Sequence, residues 1–516
     1  MVATDNLDLI AHQSLNNTHG LLEAGKTLKI TTAGRWNNQE GITQAGHQII
    51  ASADTIDNTQ GQLQSGDKLT FKTTHDVINT LGKITAQHLL QWQGHDNSQF
   101  NNNNGLLQSN GTLTLEGGAL SNQQQGNIFS QKALQLVLKG DLLNQHGKIT
   151  SNENSVIKAN NLINTQGEIN SLNTLNIDLL EQLDNRQGRL FSQSSQHLQA
   201  TDILNTKGWM GSLDTWFAKA SAFNNQTGQI QSQKEASLVA NTFDNTNGLL
   251  QSSDSAQLRI AKSINNTQGK ISAQNTVDAQ GTQPNGAIET VNNIAGQWLA
   301  GNRLNLHVLN LDNSQHGLLY SQQHTQLAVD NALNNRQGKI QSEDNLALTA
   351  KTLYNQSGSI DGQQGVTLTL ADLLDNSQGK IRSNQHQSIY GSRIQNHQGH
   401  ISSQGELTVN GAQLDNTQGM LISQKNSHYD IEHINNNAGK IHSGQSLTLT
   451  ATDLQNQQGQ LVSTQALKVN TAQLDNHNNG ILSSQDALNI TTNTLNNRDN
   501  GLIWGTTQNV ISAQKY

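Results

Sequence analysis

Leu183-Asp-Asn-Arg-Gln-Gly-Arg-Leu-Phe-Ser192 returns as Leu414-Asp-Asn-Thr-Gln-Gly-Met-Leu-Ile-Ser423, and equivalents recur about every 20 to 21 residues along the 516-residue chain. The motif's glycine sets the phase. It runs from Gly20, Gly41 and Gly61 to Gly459, Gly480 and Gly501, 24 positions in all. A period of this length marks a solenoid, in which each unit buries its apolar face only against its neighbours.

Positions counted from the glycine form columns. Two residues on, 23 of the 24 units carry an apolar side chain, and only Thr43 departs. Four residues on, every unit carries Ser, Ala or Gly. Side chains two apart share one face of a strand, so this segment reads as a strand with its second and fourth residues inward. Further on, pairs such as Leu28/Ile30 and Leu346/Leu348 mark a second strand. Apolar residues five before the glycine, such as Leu183 and Phe243, mark a third inward stretch. The expected fold is all-β, a right-handed parallel β-helix of about 24 coils.

The corner has its own signature. Asn stands three before the glycine in 20 units, and four before it at Asn122, Asn313, Asn476 and Asn497. In those four the apolar residue moves back as well, so the extra residue enters between Asn and Gly. Asn and Gly accept left-handed backbone at low cost, so the segment reads as a turn. Stacked coils would set each Asn over the next, where the amides can form a ladder.

Composition agrees. Only 33% of residues are apolar and 3% aromatic, yet a disordered chain has no reason to keep columns in phase. Charge is low, at 13%, with a net charge of −8. Like charges stacked at about 5 Å repel by roughly 0.8 kcal/mol even in water, so neutral amides suit a stacked surface. No basic stripe of the kind nucleic-acid binders carry stands out, which argues against that partner. The single proline, Pro284, falls where the glycine spacing widens between Gly269 and Gly296. A continuous ladder excludes proline, so residues 270–295 are expected to hold a loop or bulge in an otherwise continuous 1–516 repeat rod. Absence of cysteine excludes disulfides and Cys-based metal sites. No stretch approaches a transmembrane helix and no signal peptide opens the chain. Both ends read as cut within a coil.

The unit Leu-(Asp/Asn)-Asn-x-x-Gly-x-(Ile/Leu)-x-Ser resembles the filamentous-haemagglutinin repeat over nearly the whole chain. Proteins with this repeat are large bacterial exoproteins of two-partner secretion, including adhesins, haemolysin-like proteins and contact-dependent growth-inhibition toxins. The resemblance implies folding outside the cell, export through an outer-membrane β-barrel transporter, and a place at the cell surface. It implies a stalk that projects an adhesive or toxic tip, with host or neighbouring-cell receptors or glycans as partners. The family's secretion domain and its Asn-Pro-Asn motifs are missing; Gln283-Pro284-Asn285-Gly286 reads as an isolated turn.

Local chemistry is sparse. The densest histidines, His397/His400 and His428/His433/His442, fall at different offsets and do not read as a metal site. Trp209 and Phe217 occupy outward offsets in one coil and form the candidate partner-binding patch, whereas Trp216 and Phe223 are expected in the core. Some parallel β-helices act on polysaccharides, which needs converging ionisable groups. Here Asp57, Asp184, Asp375 and Asp415 recur just before the corner Asn, in a turn role. The chain is read as a non-enzyme without cofactors; the alternatives are a directly adhesive rod and, less well supported, a polysaccharide-active enzyme.

Overall fold

The computed structural model describes residues 1–515. The chain is an all-β parallel solenoid of about 24 coils at ~21-residue spacing. No helix occurs among the described residues, so none is long and apolar enough to cross a membrane. It divides into two compact units, Met1–Ser253 and Asp254–Tyr516.

In the first unit a typical coil consists of the strands Lys148–Ser151, Ser155–Ala159 and Leu162–Ile163. The strand after each glycine pairs in parallel with its counterparts, with Lys148 opposite Glu168 and Glu168 opposite Arg189. The other two strands belong to a second sheet, where Ser155 faces Leu175 and Leu162 faces Leu183. In the second unit these two segments merge into bent strands such as Asn345–Tyr354 and Gly365–Asp375. The register slips at their bend, between Ala350 and Thr352.

Burial follows the columns. Residues two after the glycine are fully enclosed, as at Leu63, Ile84, Leu190 and Ile340, with Ile503 only half-buried. Each such side chain contributes about 1.5–3 kcal/mol by leaving water. Those one and three after it are half-covered or exposed, because neighbouring coils pack alongside them, except Gly211, which lies buried under the Trp209 ring. Trp36, Trp92, Trp216 and Trp298 lie inside, and Phe223 packs edge-on against Trp216 and Phe243 at centroid distances of 5.9 and 5.7 Å.

The corner Asn forms the expected ladder, within the first unit from Asn17 to Asn245 and within the second from Asn266 to Asn497. Each Nδ2 donates to the next Oδ1 at 2.7–2.8 Å. The second proton is shared. Asn185 Nδ2 also donates to the Gly188 and Trp209 carbonyls, both at 3.3 Å. Thr43, the exception in the apolar column, joins in: it is buried and its hydroxyl donates to Asn38 Oδ1 at 2.8 Å.

The backbone at this corner differs from the expectation. Neither the Asn nor the Gly is left-handed; no glycine has positive φ. The residue just before the glycine takes that strain, with φ between 51° and 70°, as at Gln187 (57°), Lys207 (56°) and Leu81 (56°). In the four longer corners two successive residues do so, for instance Gln124 and Gln125, so the insertion sits between Asn and Gly. Glycine is required for a different reason, a close approach. A Cβ on Gly188 would lie 2.2 Å from the Asn164 carbonyl and 2.7 Å from Asn185 Oδ1.

The small residue four after the glycine holds the next corner. Ser171 Oγ donates to the Glu153 carbonyl of the preceding coil at 2.6 Å and to Thr174 of its own at 2.8 Å. Ser443 repeats this with Lys425 and Ser446. The widened spacing near Pro284 is taken up by residues 281–287, between the strands Thr276–Gln280 and Ile288–Asn292. The loop closes through Gly281 N to Gly286 O at 2.7 Å.

Candidate binding surfaces

Trp209 and Phe217 belong to one coil but to different sheets, on the strands Trp209–Ser212 and Trp216–Lys219. Trp209 is half-buried. The Arg189 guanidinium stacks 4.2 Å from its ring centroid, Phe191 lies 5.9 Å away, and its Nε1 donates to Gln231 Oε1 at 3.2 Å. Its ring edge fills the space above Gly211, where a Cβ would sit 2.3 Å from it. Phe217 instead packs against His197 at 5.9 Å. The two aromatics are separate half-exposed features.

The histidines singled out above are dispersed over the coil. His400 and His442 face outward on the first sheet, His428 and His433 lie on the second, and His397 sits in a corner turn. No three metal-capable side chains converge among the described residues. The recurrent aspartates cap turns. Asp375 Oδ1 accepts from the Ser377 N–H at 3.1 Å and its hydroxyl at 2.7 Å. Asp184 accepts from the Arg186 N–H at 3.1 Å and its Nη2 at 2.6 Å. Burial opposes ionisation of Asp184, but the Arg186 side chain and N–H outweigh it and hold the carboxyl below its ordinary value.

Some charges elsewhere are matched coil to coil, as with Lys234–Asp214 at 2.9 Å, Arg259–Asp278 at 2.6 Å and Arg393–Asp372 at 2.9 Å. One face of the second unit aligns cations in register, which reading along the chain passes over. The register aligns Lys339, Ser359, Lys380, His400, Met420 and Lys440 in one outward column. Beside it run Gln341, Asp361, Arg382, Ser402, Ile422 and His442. Asp361 is the only carboxylate in either row, and Arg382 occupies it at 2.7 Å. Among the described residues no carboxylate pairs with Lys339, Lys380 or Lys440. Burial, then Arg382 and Lys380, push the His400 imidazole below its ordinary pKa; burial, then Lys440, do the same to His442. An open groove of about 540 Å³ lies on part of this face, lined by Lys339, Asp361, Arg382 and His400 and by amides including Gln363, Asn384, Gln404 and Gln424; Lys380 and Lys440 do not line it. Reading down the position after each glycine exposes the column; reading along the chain separates its lysines.

A family model described as the haemagglutinin repeat matches residues 2–94, 94–146, 123–187, 173–283, 289–378, 377–428, 432–476 and 466–515. No curated protein and no solved structure matches the chain.

Proposed function

Because the chain belongs to the haemagglutinin-repeat family, we propose that it is a stalk segment of a large bacterial surface exoprotein of the filamentous-haemagglutinin type. Its role is to hold an adhesive or toxic tip away from the cell, without catalysis of its own. The observation that carries this reading is the corner ladder, repeated without change through each unit while the outer surface varies. A scaffold needs that invariance, and an enzyme needs the opposite, one coil unlike the rest. The carboxylates that recur most regularly are engaged in turns and ion pairs. Export through an outer-membrane β-barrel partner and a cell-surface location accompany this proposal by family.

The test uses the full-length exoprotein. Removing or duplicating whole coils should change the reach of the tip, measured by electron microscopy, while tip activity on target cells persists once contact is allowed. Abolition of tip activity by every such length change, with the fold and surface display retained, would contradict a spacer role. A directly adhesive rod is the second reading, favoured by the half-exposed rings of Trp209 and Phe217. It predicts cell binding by the purified segment, lost in the W209A/F217A double variant.

A further inference from the structure

We propose that Asn285, in the loop of residues 281–287, is a site of self-modification, where the side-chain amide converts spontaneously to a carboxylate. Seven Asn-Gly pairs occur in the chain, from Asn104-Gly105 to Asn500-Gly501. In such a pair the glycine has no Cβ to keep its backbone nitrogen away from the carboxamide of the residue before it. What separates the pairs is their place in the fold. Asn104 and Asn479 stand at corners, where their N–H groups donate to the Gln123 and Asp499 carbonyls of the next coil at 3.1 and 2.9 Å. The carbonyls of their glycines accept from Asn127 and Leu502 at 2.8 Å each. Asn410 lies inside the strand Leu407–Asp415, paired on both sides with Tyr390 and Asp430. Asn285 is exposed and lies outside both sheets, between the strands Thr276–Gln280 and Ile288–Asn292. Among the described residues no backbone hydrogen bond ties residues 282–285 to an adjacent coil. Gly286 is held only within the loop, its N–H donating to Gln283 at 2.9 Å and its carbonyl accepting from Gly281 at 2.7 Å. Bringing the Gly286 nitrogen onto the Asn285 carboxamide therefore costs one local hydrogen bond, whereas at the corners the same movement disturbs the stacked coils.

The step is intramolecular, so its rate depends on how often the two groups reach attack geometry. The Gly286 nitrogen gives up its proton to hydroxide and forms a bond to Cγ of Asn285. The Cγ–Nδ2 bond breaks and ammonia leaves, which closes a cyclic imide between the two residues. Water then opens the ring at either carbonyl. One opening leaves aspartate; the other leaves isoaspartate, with the main chain routed through Cβ and longer by one carbon. One water is consumed, one ammonia is released, and a neutral position becomes anionic. A ladder strand could not take up the extra carbon without losing register, but a loop outside both sheets can. The modification is independent of the spacer role, and a stalk without it remains a stalk.

The experiment incubates the whole folded chain in mildly alkaline buffer and follows each Asn-Gly peptide by mass spectrometry, with isoaspartate detected by enzymatic methylation. Conversion at Asn285 should be at least tenfold faster than at Asn104, Asn410 and Asn479. In denaturant the four rates should converge, because the fold no longer holds three of them. The G286A variant, with its circular dichroism unaltered, should slow conversion at Asn285 about tenfold, since a Cβ hinders the attacking nitrogen. Its isoaspartate signal should fall in step. The proposal is overturned if Asn285 converts no faster than the three enclosed sites. It is equally overturned if the same spread of rates persists in denaturant, which would make local sequence the cause. Unchanged conversion in G286A would show direct hydrolysis of the amide and would also refute it.

Discussion

At the residue scale the corner glycine and asparagine are one device. The glycine has no Cβ because the carboxamide and the preceding coil's carbonyl occupy that space. Gly188→Ala should therefore cost about 3 kcal/mol, the upper end for overpacking. Asn185→Ala should cost about 1–2 kcal/mol by stranding both neighbours in the ladder. Leu190→Asp should be worse than either, because it buries an unpaired charge. The left-handed residue offers a gain. Leu81 is 55% exposed and sits at φ 56°, so Leu81→Gly should stabilise by up to about 1 kcal/mol. Solenoids lose structure locally, so hydrogen exchange at the altered coil, against distant coils, is the measurement for all four. No protection change at several interior Asn→Ala coils would reduce the residue to a turn former. Both columns were legible in the sequence, and so was the ladder. The division of labour between them was not, since glycine's tolerance of left-handed backbone and its lack of bulk predict the same letter.

On the scale of the strand and its sheet, register decides what meets. Lys339, Lys380 and Lys440 are remote in sequence and collinear in the sheet, so composition gave no hint of the column. Trp209 and Phe217 show the converse: they are near in sequence, yet the turn between their strands sends them to separate sheets. Burial of two histidines on this face, reinforced by neighbouring cations, has a pH consequence. His400 and His442 both titrate below their ordinary value in the folded chain, so in that window the unfolded chain binds more protons and stability rises with pH. Acidification from pH 7 towards 5 should loosen these coils first. The H400Q/H442Q variant should flatten this dependence in hydrogen-exchange profiles across pH. A profile identical to the parent's would remove the histidines as the cause.

For the molecule as a whole, repetition makes coils additive. Deleting residues 147–166 removes one period and brings Asn144 next to Asn185, with every column in phase. That variant should keep its β-type circular dichroism and protease resistance, whereas deleting residues 147–156 puts the columns out of phase and should create a protease-sensitive site there. Equal damage from both would refute additivity. The same corner has a consequence for inheritance. Each coil offers the same pair of contacts, one amide hydrogen to its successor and one amide oxygen to its predecessor, whatever its outer letters are. Misaligned recombination between repeats of the gene therefore joins compatible partners whenever it is in phase. Length can change by whole repeats without a refolding penalty, while surface positions drift freely between one exchange and the next.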